Sequence, residues 1–100
     1  MNTFTINGKK IKAKAIDFNT ICDLEDYGLN FNDMQKKSTS FMRAYLAISA
    51  GLDSEQAGIE MQEHIINGGN FDDLVKAMTK EIENSDFFRK LTANKSKETQ

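Results

Sequence analysis

The chain of 100 residues holds one histidine and one cysteine, so the side chains able to do chemistry are few. His64 stands four residues after Glu60 and next to Glu63. On a helix that spacing brings a carboxylate within reach of an imidazole, the arrangement a proton-transfer pair or part of a metal site would need. Metal binding needs further ligands, and Cys22 is far away in sequence. His64 is therefore expected to be a structural residue at the surface or its boundary. Cys22 carries no nucleophile signature around it and reads as a packing residue. The stretch Asn67-Gly68-Gly69-Asn70 with Asp72 and Asp73 lacks the alternating acids and bidentate glutamate of a calcium loop, and reads as a turn followed by a helix cap. No glycine pattern cradles a phosphate. The expectation is a protein that is not an enzyme, with no catalytic, cofactor-binding or metal-binding residues.

Lys9, Lys10, Lys12 and Lys14 are the remaining cluster. Alternation along a strand would project three of them as a basic stripe able to meet phosphates. That stripe has no stacking aromatics and the chain carries a net charge of −2, so a solvated face that discourages edge pairing is the expected role and nucleic-acid binding the lesser one. A single cysteine excludes an intramolecular disulfide, which suits a cytosolic setting. The first residues have neither the basic start nor the apolar run of a signal peptide, and no segment is long and apolar enough to suggest a membrane span.

These residues need elements to position them. From Thr3 to Ala15 apolar and polar residues alternate around Asn7-Gly8, the dipeptide that best tolerates the positive φ of a tight hairpin turn. With Asn7 and Gly8 as the loop, Ile6 faces Lys9 and Phe4 faces Ile11. Phe4, Ile6, Ile11 and Ala13 are then expected on one face and the lysines on the other. A lone hairpin is marginal, so the apolar face must cover a helix or meet another chain; Phe4, Ile6 and Ile11 are the candidates for self-association.

Asp17 can cap a short helix carrying Phe18, Ile21 and Leu24 into the core, with Gly28 as its stop. Leu29 to Lys37 reads as a loop with a turn of helix, anchored by Phe31. Phe41 to Ala50 is apolar on nearly all sides and is the expected central helix, capped by Ser38, Thr39 or Ser40 and ended by Gly51. Asp53 or Ser54 opens the next helix, with Ala57, Met61 and Ile65 on one side, Gly58 and Ile66 nearby, and Asn67-Gly68-Gly69 as its end. Asn70 is placed to cap the clearest amphipathic stripe, Phe71, Leu74, Val75, Met78 and Ile82.

Ser85-Asp86 can restart or bend that helix before Phe87, Phe88 and Leu91. Residues 92–100 are polar and expected to be disordered. The fold class read from this order is mainly α (α+β): a short N-terminal β-hairpin, then about four helices around a central apolar helix, as a single domain over residues 1–91. Adjacent phenylalanines cannot both face one core, so Met78, Ile82, Phe87, Phe88 and Leu91 form the candidate partner-binding set.

The hairpin with Asn7-Gly8, followed by Asp17-Phe18-Asn19-Thr20-Ile21-Cys22-Asp23-Leu24-Glu25-Asp26-Tyr27-Gly28, resembles the opening of tail assembly chaperones from long-tailed, siphovirus-like bacteriophages. Leu24-Glu25 with the following glycine is its most recognisable part. The apolar run Phe41 to Gly51 followed by Leu52-Asp53-Ser54-Glu55-Gln56-Ala57-Gly58 is similar to the same family's middle, a buried helix leading into a capped acidic one. The likeness covers Thr3 to Leu91 in element order. It implies a small helical protein of the host bacterial cytoplasm, absent from the finished virion. Such a protein binds the apolar tape measure protein, keeps it soluble and helps recruit tail tube subunits. A homo-oligomer is compatible with it. Two readings stand beside it: a tail-completion or connector subunit retained in the virion, and a small nucleic-acid-binding regulator using the lysine face.

Overall fold

The computed structural model describes residues 1–90, so Leu91 and the polar segment 92–100 lie outside the described residues. Strands β1 (Thr3–Ile6) and β2 (Lys9–Lys12) pair antiparallel. Phe4 lies opposite Ile11 and Ile6 opposite Lys9, and both loop residues have positive φ, 53° at Asn7 and 77° at Gly8. The register follows from those two dihedrals.

The helices are α1 (Phe18–Asp26), α2 (Asp33–Lys36), α3 (Ser38–Ala50), α4 (Ser54–Ile66) and α5 (Asp72–Glu83), and helix resumes over residues 86–90. Their ends are written locally. Asp17 accepts a hydrogen bond from the Thr20 amide at 2.9 Å, which holds its carboxyl below the ordinary carboxylate range. Asp53 and Gln56 form a reciprocal capping box at α4. At the end of α1 the amide of Leu29 bonds the Leu24 carbonyl and that of Gly28 bonds Glu25. The same pair of bonds closes α4 through Gly69 to His64 and Gly68 to Ile65. Each motif turns the chain through a left-handed glycine, Gly28 or Gly68, and satisfies carbonyls the helix leaves open.

Helix α3 is the centre: it touches α1, α2, α4, α5 and β2, and Phe41, Ala44, Tyr45, Leu46 and Ala47 are buried. The Tyr45 hydroxyl donates to the Lys14 carbonyl at 2.6 Å, tying the strand exit to the core. Burial, and then the charge of Glu81, push its ionisation upward. No buried side-chain polar atom among the described residues lacks a partner.

Several expected details differ. No side chain caps α3; Lys37 stands at the cap position without a side-chain hydrogen bond, because the preceding turn α2 runs directly into it. Phe18 is 62% exposed, and Thr20 takes the core position beside Leu24. Thr20 can be buried because its hydroxyl donates to the Ala15 carbonyl, which removes the cost of hiding it. On α5 the buried set is Leu74, Ala77 and Met78, with Val75 exposed. The stripe is rotated toward position 77, where a small side chain lets the helix approach β1. Helix α5 begins one residue after the expected point, yet Asn70 Oδ1 still accepts the Asp72 amide at 3.0 Å. Ser85 accepts from the Phe88 amide at 3.0 Å and donates to the Ile16 carbonyl, so it caps the last helical stretch.

Candidate interaction surface

His64 is where the sequence placed its strongest hint of chemistry, and the structure uses it as a joint. Its Nδ1 accepts the Asn7 backbone N–H at 2.9 Å, and Nε2 lies 2.7 Å from the Asn70 carbonyl. An amide can only donate and a carbonyl only accept, so the two contacts match the tautomer that carries its hydrogen on Nε2. The Asn7 side chain donates to Glu60 and Glu63, each at 2.8 Å, and Lys9 pairs with Glu60. Bonds from Asn7 and then Lys9 hold the Glu60 carboxyl below its ordinary range. The imidazole stacks on Phe71 at 6.1 Å between centroids. With both ring nitrogens engaged by backbone, the cluster clamps the hairpin turn onto α4.

Lys9 corrects the expected facing of the hairpin. Residues opposite each other in an antiparallel ladder point to the same side, so Lys9 shares the helix-covered side with Ile6 and meets Glu60 there. Lys10, Lys12 and Lys14 are exposed. Phe4 and Ile6 are buried, and Ile11 is half-buried against the same core. β1 lies on α5 and α4 and β2 on α3, so the apolar side that could have served self-association covers this chain's own helices.

The expected partner-binding set is split. Met78 is buried in the core, and Ile82 packs against it half-buried. Phe88 turns inward, its ring 4.5 Å from Phe31, while Phe87 turns outward and meets the exposed Phe18 edge-on at 5.8 Å. Leu91 lies outside the described residues.

A second apolar surface lies elsewhere. Between α3 and α4 runs an open groove of about 400 Å³. Thr39, Ser40 and Arg43 line it from α3, and Gly58, Met61, Gln62, Ile65 and Ile66 from α4, with Phe71 at one end. Ile65 is 47% exposed and Ile66 71%, and Ile59 on the same helix is 52% exposed. Ile65 thus departs from the expected core side. Ala57 and Met61 are the buried residues of α4. The signal that could have found this surface is that α4 carries more isoleucine than one buried stripe accommodates: Ile59 and Ile66, seven apart, lie off the Ala57–Met61 line.

Cys22 is half-buried with a free thiol. Among the described residues no group of three or more His, Cys, Asp or Glu could hold a metal ion, and no helix is long and apolar enough to cross a membrane. No family model matches the chain, and neither does any curated protein or solved structure.

Proposed function

We propose that this protein is a non-enzymatic tail assembly chaperone that covers apolar helical segments of a phage tape measure protein, keeps that protein soluble and helps recruit tail tube subunits. The observation that carries the reading is the α3–α4 groove with its exposed isoleucines. Apolar surface gathered at a groove between helices is suited to covering the apolar stripe of another helix. Burying Ile65 and Ile66 against a partner would contribute roughly 1–2 kcal/mol each. Phe18 and Phe87 add a second exposed apolar point. The site of action is the cytoplasm of the host bacterium.

Co-expression with the tape measure protein encoded in the same genome tests this. The expected result is a soluble complex that copurifies and is lost when Ile65 and Ile66 are both changed to Asp. These exposed positions can be altered with the fold intact. A tape measure protein that stays insoluble beside the folded native chain refutes the reading. Detection of the chain in purified particles would favour the retained tail-completion subunit instead.

A further inference from the structure

The α3–α4 groove is apolar along most of its floor but not at Arg43. The Arg43 stem lies over Gly58, its Cδ 3.6 Å from where a Cβ at that glycine would stand. Arg43 is exposed, and among the described residues its side chain makes no hydrogen bond or ion pair. No carboxylate lines the groove. On α4 the lining residues Gly58, Met61, Gln62, Ile65 and Ile66 recur at three- and four-residue steps, a face roughly 12 Å long at 1.5 Å per residue. That length matches about two turns of a second helix.

We propose that the groove takes two turns of a partner's amphipathic helix, with the partner's apolar side chains on Met61, Ile65 and Ile66 and an Asp or Glu beside them paired with Arg43. This rests on the chaperone reading and adds to it a rule for which helical segments are taken. The physical reason is desolvation. A helix laid into the groove strips water from the guanidinium, and a charge covered without a partner is strongly unfavourable. A carboxylate compensates through two parallel N–H···O bonds. A purely apolar helix, or one presenting Lys or Arg at that point, is disfavoured by the same side chain, so Arg43 selects against wrong segments as well as for right ones. A lone cation among isoleucines does not suit the phosphate row of a nucleic acid.

The test uses the full chain and fluorescently labelled designed helical peptides. Each carries a leucine stripe at i, i+3, i+4 and i+7, with either Glu or Gln at one flanking position, and binding is read by anisotropy. The native chain is expected to bind the Glu peptide roughly tenfold more tightly at low salt, with the preference shrinking as salt rises. Arg43→Met, which keeps an unbranched stem over Gly58, should erase the preference and tighten binding of the Gln peptide, because no charge is then covered without a partner. Ile65→Asp should abolish binding of both. Equal affinities in the native chain, a preference that survives Arg43→Met, binding that survives Ile65→Asp, or no binding of either peptide overturns the proposal. So does a native dimer in sedimentation that Ile65→Asp converts to monomer, which would assign the groove to a second copy. Circular dichroism checks that both variants are folded. Tape measure solubility and the Glu preference are separate readouts, so failure of the selection rule is distinguished from failure of the chaperone reading.

Discussion

Replacing Gly69 with alanine puts a methyl carbon 2.5 Å from Cε1 and Nε2 of His64 and 2.8 Å from its Cδ2. The ring cannot yield cheaply, because its nitrogens are engaged by Asn7 and Asn70. Moving it breaks both hydrogen bonds, each worth about 0.5–1.5 kcal/mol net. Against this, alanine restricts the unfolded chain and returns about 0.4–1 kcal/mol; Gly69 does not have the positive φ that would cancel that gain. Gly69→Ala is therefore expected to destabilise by about 1–2 kcal/mol, lowering Tm by about 5–15 °C in a domain of this size.

The informative experiment is the cycle with His64→Ala, followed by urea denaturation read by circular dichroism. Without the imidazole the three atoms nearest the new methyl are gone, so Gly69→Ala in that background should be neutral or stabilising by about 0.5 kcal/mol. The substitution thus changes sign with the identity of residue 64. Additive effects within about 0.5 kcal/mol would refute the clamp. So would an Asn7 amide resonance that Gly69→Ala leaves unmoved.

Tyr45→Phe removes the buried hydroxyl that donates to the Lys14 carbonyl and should cost about 1–3 kcal/mol in urea denaturation, since the carbonyl loses its partner. Asp17→Ala should cost about 1 kcal/mol at neutral pH through the lost helix cap. The folded-state pKa of Asp17 is lowered, so its charge stabilises the fold above the ordinary aspartate range and that contribution disappears as pH falls through the lowered value. Native and Asp17→Ala stabilities should converge in acid, and parallel curves would contradict the cap. Gly58→Ala places its methyl in ordinary contact with Arg43 and should raise the denaturation midpoint, stabilising by about 0.5–1 kcal/mol, the helix-propensity difference; a fall would mean the groove floor is tighter than this.

Where the hairpin turns and where α1 and α4 begin and end was legible in the sequence, because those signals act on a few consecutive residues. Asn7-Gly8 determines the hairpin register, and Asp17 and Asp53 open α1 and α4. Gly28, Gly51 and Gly68 end helices because a left-handed turn costs them no Cβ clash. The central place of α3 was legible as well, since a helix apolar on nearly all sides must be surrounded. Which side of a marginal residue faces inward depends on partners outside its own helix or strand. Thr20 is buried because the Ala15 carbonyl turns toward it, and Phe18 is left outside as a consequence. Lys9 shares the inner side with Ile6 because Glu60 waits there, more than fifty residues on. The candidate site belongs to this second kind. Ile65 and Ile66 look like core residues on a one-dimensional reading, and only the crossing of α3 over α4 leaves them lining an open groove with Arg43 beside it. Local dihedral preference and hydrophobic period act within a segment. The packing of one segment on another decides what stays exposed, and so where a partner can bind.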